Sequence, residues 1–352
     1  MNAYAVIGMG WGDESKGSVA DYLARQHNAK TIVRFNGAHQ CAHNVVLPDG
    51  RHHTFSQFGA GMFVHPDVET YIGPHMMWEP RSLLAESIFL ERAGVPAPLS
   101  RIAIHPDAVM ITPFHRALNR AREAARGAAR HGSCGLGVGE AASDVYEQRY
   151  GRVLRAKSIT GRFDGRLPDV RATLDELAWS LNQDFKELNL HKDALSIADA
   201  RPFFEAHAAG EEYIADIKTL LDQGLRIRDE AHLRDRTKLG PVIFEGAQGV
   251  LLDEWVGFHP HTTWSTTTAD YALHLWDCVG SGRNNMEIVG VTRCYQTRHG
   301  AGPMPSEAPL EGVLTKEHNG IGQWQGSFRV GHLDLMMLRY ALLMQPVDAL
   351  AV

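Results

Sequence analysis

The stretch Ala3-Tyr4-Ala5-Val6-Ile7-Gly8-Met9-Gly10-Trp11-Gly12-Asp13-Glu14-Ser15-Lys16-Gly17-Ser18 decides the fold. A short apolar, β-prone run enters a glycine-rich turn, and an amphipathic segment from Lys16 to Gln26 leaves it, giving strand, loop, helix. Loops in that position hold phosphate because successive free backbone N–H groups and a helix N-terminus favour anions. This one is not a Walker loop, since Ser15 precedes Lys16 and Gly17 follows it, and Asp13 and Glu14 at the tip make it a poor dinucleotide fingerprint. Carboxylates in a phosphate cradle repel the ligand unless one holds Mg²⁺ or takes a proton from the substrate, which points to chemistry beyond binding. A plain glycine turn whose acids act as helix N-terminal charges is the competing reading.

Outward from this unit the alternation continues. Lys30 to Phe35 is a second strand, Asp49-Gly50 between alternating segments is a hairpin turn, and residues 71–74 and 101–106 are further strands around a helix at 81–93. A helix over 116–130 runs into a loop in which Gly132, Gly135, Gly137 and Gly139 resist helix formation. Residues 169–233 carry helical spacing and few strand signals, which predicts a helical lobe with a core of its own. Strand character returns at 241–246 and 286–297, a helix is expected at 332–343, and VDALAV at the end reads as another strand. The pattern predicts an α/β fold, a mostly parallel doubly wound sheet with a P-loop-like phosphate loop and a helical insertion. The expected divisions are 1–154, the first part of the nucleotide-binding core, 155–235, the helical lobe, and 236–352, the remainder of the core.

With 35 Lys plus Arg against 41 Asp plus Glu the net charge is −6, which excludes a nucleic-acid binder held by bulk charge. Cys41, Cys134, Cys278 and Cys294 are far apart and lack CxxC spacing, so reduced thiols and a cytosolic compartment are expected rather than disulfides or structural zinc. No segment approaches the ~18 uninterrupted apolar residues of a membrane span, and no signal peptide is read at the N-terminus; a soluble, cytoplasmic protein is expected.

Three further segments carry chemistry. Asn36-Gly37-Ala38-His39-Gln40-Cys41-Ala42-His43-Asn44 lies at the end of a strand, where open α/β sheets place ligands. His39 and His43 are four apart, but Gly37 and the preceding strand argue against a helical zinc pair, and a histidine that merely caps the loop is the plain alternative. Phe244-Glu245-Gly246-Ala247-Gln248-Gly249, then Leu252-Asp253 and Pro260 to Thr268, offers small residues and uncharged hydrogen-bonding groups suited to a nucleotide. Thr297-Arg298-His299-Gly300-Ala301-Gly302-Pro303-Met304-Pro305 is a rigid turn that says little alone.

In this order the four segments resemble the adenylosuccinate synthetase family. Its WGDEGKG loop stands here as Trp11 to Gly17 with Ser15 in place of a glycine, and its GGHNAGHT loop as Gly37 to Asn44. Its FEGAQG segment is Phe244 to Gly249, and its TRvGaGPfPtE turn is Thr297 to Glu307. The resemblance implies a ligase in which a base removes the N1 proton of a 6-oxopurine nucleotide, the 6-oxygen attacks the γ-phosphate of a nucleoside triphosphate, and L-aspartate displaces the 6-phosphate. Asp13 is then the base and a Mg²⁺ ligand, His43 the acid on the 6-oxygen, and the Ala42 carbonyl a second Mg²⁺ contact. Gly12, Glu14, Ser15, Lys16, Gly17, Ser18, Asn44 and Arg329 would meet the triphosphate (ATP, dATP or GTP). Asp13, Ser15, Gln40, Ser133, Cys134, Gln248 and Thr263 would meet the monophosphate nucleotide, with Arg149 arriving from a homodimer mate. Aspartate falls to Gln323, Trp324, Gln325, Gly326, Ser327 and Arg329.

The chain departs from the family's pattern at three places. The Thr- and Arg-rich loop that grips aspartate is thinned to Trp324 to Gly331, with Arg329 the one arginine left and Ser327 where a ribose-reading arginine stands. Ser15 and Cys134 replace residues near the purine and its phosphate. The sequence ends at Val352, before the family's strand that reads the triphosphate base. Such thinning resembles the viral 2-aminoadenylosuccinate synthetase branch, which implies dGMP or GMP as substrate and a host-cytoplasmic location. Adenylosuccinate synthesis from IMP is the near alternative, and a nucleotide-binding protein without turnover a third.

Overall fold

The computed structural model describes residues 2–147, 153–160, 168–191, 194–280, 282, 285–310 and 323–352. Its strands are β1 (Ala3–Gly8), β2 (Thr31–Arg34), β3 (His43–Val46), β4 (His52–Phe55), β5 (Glu69–Ile72) and β6 (Ile102–Ile104) in the first half. In the second half they are β7 (Arg226–Ile227), β8 (Val242–Glu245), β9 (Met286–Val291), β10 (Tyr295–His299), β11 (Phe328–His332) and β12 (Ala349–Ala351). Eight of them form one sheet in the order β12-β9-β1-β8-β2-β5-β6-β7, and every neighbouring pair is parallel. The chain runs outward from β1 to one side, returns through β8 between β1 and β2, and finishes on the other side with β9 and β12. Such a reversal opens a crevice at the carboxyl ends of the central strands, and the four motif segments lie there.

The helices are α1 (Lys16–Gln26), α2 (Pro80–Arg92), α3 (Pro113–Arg126), α4 (Val138–Tyr146), α5 (Pro168–Lys186), α6 (Ile197–Phe204), α7 (Ala206–Asp222), α8 (Glu230–Thr237), α9 (Asp270–Cys278) and α10 (Leu335–Met344). Strand β1 is buried throughout because both of its faces are covered. Its period of two sends Tyr4 and Val6 into one apolar cluster with Ala20 and Ala24 of α1 and Leu83 of α2. Ala3, Ala5 and Ile7 go into the other cluster, with Leu275 and Trp276 of α9. The sheet is therefore doubly wound, as its sequence predicted.

Several local expectations change. Leu174, Leu177, Leu181, Ile217 and Leu220 belong to the same buried cluster as Ile32 and Ile104, so the helical stretch has no separate core. It also contains β7, whose two residues pair with β6 and are too short to show a period. The expected strand at 286–297 is two strands in two sheets: β9 joins the main sheet, and β10 turns out of it to pair antiparallel with β11. The helix expected from 332 begins at Leu335, after β11, under the cap that Asp334 supplies to the N–H groups of Met336 and Met337. Gly139, expected in a loop, lies in the first turn of α4. The Asp49-Gly50 hairpin forms as predicted, joining β3 to β4, and all four cysteines are free thiols. Among the described residues no helix is long and apolar enough to cross a membrane.

Candidate active site

The phosphate loop is held from below. Glu14 turns its carboxylate under the loop, where Oε1 accepts from the Gly12 N–H at 2.7 Å and Oε2 from Lys16 Nζ at 2.6 Å. Both side chains are buried, 5% and 2% exposed, so their charges compensate each other inside the protein. The loop's own backbone is bent: Asp13 and Ser15 have φ of 62° and 72°, in the left-handed region that costs a residue with a side chain about 1 to 2 kcal/mol. Ser15 thus keeps the conformation that a glycine adopts freely. Its hydroxyl makes no cap to α1, which leaves the first N–H groups of that helix open to an anion.

The 36–44 segment meets this loop directly. A Cβ on Gly17 would lie 2.5 Å from the Cβ of His43, so only glycine allows α1 to approach β3 this closely. The alternation of β3 buries His43 and Val45 on one face. There His43 donates Nδ1–H to Glu245 Oε1 at 2.5 Å, and Glu245 Oε2 accepts from the Ala60 N–H at 2.8 Å. Burial pushes the Glu245 carboxyl up, but the charge of Arg34, its register partner on β2, and the bond to His43 hold it below the usual range. Burial outweighs the same pairing for His43 and lowers it, so the resting pair is a carboxylate with a neutral imidazole protonated at Nδ1. His43 Nε2 is then left for a substrate. His39, also buried, has neither ring nitrogen bonded, and burial brings it down to about 4.

From above, the β10 ribbon closes on the loop. Thr297 Oγ1 donates to the Gly12 carbonyl at 3.0 Å, and His299 Nδ1–H donates to Asp13 Oδ2 at 2.7 Å. Arg298 lies over the Trp11 ring at 4.0 Å and donates to the carbonyls of Ala301 and Pro303. Burial pushes Asp13 up; the His299 bond and the charges of Lys16 and Arg293 overcome this and hold its carboxyl below the usual range.

Of the residues expected at the monophosphate, Gln248 donates Nε2–H to Thr263 Oγ1 at 2.7 Å, and its Oε1 is buried without a partner. Asn36 fixes this stretch by accepting from the Ala247 N–H and donating to the Thr266 carbonyl. Cys134 packs on the cluster that contains Ala38, and Ser133 is tied to Asn119 of α3. Gln40 lies half-buried in the 36–44 loop, its Oε1 without a partner. Ser18 donates to the Asn44 carbonyl, and Ala42 is exposed beside them. Arg149 lies outside the described residues. The structure therefore gathers the four motif segments into one crevice, with the Glu14 carboxylate committed to the Gly12 N–H and Lys16 inside it.

The segment expected to meet aspartate borders an open cavity of 510 Å³ lined by Arg130, Gly132, residues 300–302, residues 323–327 and Arg329. Trp324 packs against Gly135, and the Arg120 and Arg130 guanidiniums lie 5.8 and 5.5 Å from its ring centre. Arg329 is engaged: its Nε donates to Glu307 at 3.0 Å, its NH1 to the carbonyls of Gly300 and Gly302, and its NH2 to the second Glu307 oxygen. Sequence reasoning assigned no role to Glu245, His299 or Arg130. A carboxylate ending a buried apolar strand was the available signal for Glu245; the other two carry none, because their partners are distant in sequence.

The adenylosuccinate synthetase family model matches residues 5–352. The adenylosuccinate synthetase of Thioalkalivibrio sulfidiphilus is 33% identical, aligned over 100% of this chain and 77% of its own length. That of Methylibium petroleiphilum is 34% identical over 99% of this chain and 74% of its own length. In fold, the chain matches fully ligated adenylosuccinate synthetase from Plasmodium falciparum with a TM-score of 0.72 at 21% identity, covering 99% of this chain and 76% of that one. It matches cyanophage S-2L succinoaminodeoxyadenylate synthetase bound to dGMP and dATP with a TM-score of 0.61 at 19% identity, covering 99% and 83%. With a phosphate loop, a buried histidine–carboxylate pair and a family match along nearly its whole length, the chain belongs to the adenylosuccinate synthetase family, whose members are C–N bond-forming ligases.

Proposed function

We propose that this chain joins L-aspartate to C6 of a 6-oxopurine nucleoside monophosphate at the expense of a nucleoside triphosphate, and that the base is guanine, presented as dGMP or GMP. The His43–Glu245 pair, packed on the phosphate loop through Gly17, is the observation that carries the reading. Asp13 takes the N1 proton, the 6-oxygen bonds to the γ-phosphorus, and nucleoside diphosphate leaves. The amine of aspartate then bonds to C6, loses its proton, and the 6-oxygen departs within inorganic phosphate. Glu245 fixes the His43 tautomer so that Nε2 meets the 6-oxygen, and incoming phosphoryl oxygens favour uptake of a solvent proton at Nε2, which the imidazolium then donates to that oxygen. A donor aimed at charge that develops during reaction binds the transition state more tightly than the substrate.

Among the described residues no hydrogen bond reaches Asp13 Oδ1, and no three His, Cys, Asp or Glu side chains gather into a protein-only metal site. Asp13 and the exposed Ala42 carbonyl are hard oxygen donors, a set that suits Mg²⁺ completed by phosphate oxygens and water. Bound there, Mg²⁺ supplies charge neutralisation at the phosphoryl oxygens. The N–H groups at the start of α1 and Lys16 hold the triphosphate, while Gln40, Ser133, Cys134, Gln248 and Thr263 hold the monophosphate. Arg149 completes that site from a second copy; light scattering that finds a fully active monomer would exclude this part.

Guanine is supported by what is missing and what is added. With Ser327 in place of a ribose-reading arginine, no long charged donor remains at that position for the 2′-hydroxyl. Deoxy- and ribonucleotides should react within about tenfold of each other, under ~1.4 kcal/mol. The exposed, uncapped Ser15 hydroxyl and the carbonyls around Gly246 to Gly249 are the acceptors for a 2-amino group. A second reading, IMP as substrate, is favoured by relatives at 31 to 34% identity that are all named adenylosuccinate synthetases. Steady-state kcat/KM for dGMP, GMP, IMP and dIMP decides between them. A tenfold or greater preference for the guanine nucleotides is expected; equal or better use of IMP assigns the second reading.

A further inference from the structure

The open cavity begins one residue from His299, the partner of Asp13, so a second substrate seated in it lies beside the reacting centre. An amino dicarboxylate needs two cationic contacts. Arg329 has four of its five N–H donors committed to Glu307 and to the carbonyls of Gly300 and Gly302, and Glu307 already neutralises its charge. It therefore serves as the strut of the cavity wall more than as an open receptor.

Two other guanidiniums flank Trp324. Arg120 is anchored from behind, by Nε to the Gly135 carbonyl at 2.9 Å and by an ion pair with Asp199, and it does not line the cavity. Arg130 lines the cavity and forms no ion pair or hydrogen bond with any described residue. Its guanidinium is 5.5 Å from the Trp324 ring centre. An aromatic ring lowers the freedom of the long side chain and leaves the in-plane N–H fork open to a carboxylate. The segment carrying it is placed from both sides: Gly132 packs against the Gln325 carbonyl and the Ala301 N–H, and the Gly132 N–H donates to Glu123 of α3 at 3.1 Å.

We propose that Arg130, from the loop between α3 and α4, receives a carboxylate of the amino-acid substrate, and that Trp324 orients it. This rests on the aspartate-ligase reading above. The test is steady-state kinetics of Arg130→Ala and Arg130→Lys with aspartate and nucleotide varied separately. Arg130→Ala should raise the KM for aspartate tenfold or more while leaving the nucleotide KM within twofold, the scale of one charge-assisted hydrogen-bond pair. Arg130→Lys should recover only part of that loss, because an ammonium keeps the charge but lacks the fork. An aspartate KM within twofold of wild type in both variants would overturn the assignment and leave the ligase reading standing. A wild-type protein without aspartate-dependent turnover would overturn both. The side chain is exposed, so the variants should fold, and unchanged thermal midpoints would show it.

Discussion

The two ends of the candidate site are built by different physics. At the inner end, Glu14, Lys16, Arg34, His43 and Glu245 are each under a tenth exposed; Glu14 pairs with Lys16 at the start of α1, and Glu245 on β8 pairs with His43 of β3 beside Arg34 of β2. At the outer end, Arg130, Gln325, Ser327 and Arg329 border an open cavity, and the one buried side chain of the 323–329 segment is Trp324. Buried, paired groups hold geometry tightly, and a lone charge left inside costs several kcal/mol. Exposed groups are screened and replaceable. The inner end is accordingly suited to bond-making, and the outer end to contacts that tolerate substitution.

That contrast can be broken by substitution, and the largest effects should come from within. Asp13→Asn and His43→Ala should fold yet lose on the order of 10² or more in kcat, the scale of a general base or acid. Loss of nucleotide binding and turnover in equal measure would make His43 a binding residue only. Glu245→Gln should fall in the same range. Its amide can donate to Nδ1 and so select the wrong tautomer; near-normal kcat in that variant would remove the pair from the mechanism.

Next in size is an acid sensitivity. The buried His39 is held at about 4 against an unfolded value of 6.5. Between those values the unfolded chain binds the extra proton, so stability is full above pH 6.5 and is lost as pH falls towards 4, by about 3 kcal/mol in all. Urea unfolding of wild type and His39→Asn at pH 7 and pH 5 checks this, and equal pH slopes for the two would contradict it. At the outer end Arg329→Ala should raise the KM for aspartate about tenfold with kcat little changed, since its bonds hold the 300–302 turn. The smallest effect belongs to Ser15→Gly, which relieves the left-handed backbone and should raise the thermal midpoint by about 1 kcal/mol in equivalent stability.

The same contrast explains what could be read from the sequence. The phosphate loop was legible because strand, turn and helix start are contiguous, and the sheet because apolar runs alternate with helical periods. The His43–Glu245 and Asp13–His299 contacts span 202 and 286 residues, so nothing local announces either one. Strand β7 is two residues long, and β11 lies within the thinned loop without clear alternation, so neither shows a period. Glu14 reads as a ligand contact from its place in the loop; its burial and its bonds to the Gly12 N–H and Lys16 show it instead as the loop's internal support.

In the proposed reaction the 6-oxygen of the purine becomes phosphorylated at the inner end before aspartate arrives from the outer one. The most direct measurement is the fate of an oxygen-18 label at that position during turnover with dGMP, a nucleoside triphosphate and L-aspartate. One labelled oxygen is expected in the inorganic phosphate for each product formed. Unlabelled phosphate, with the label released into water, would contradict it.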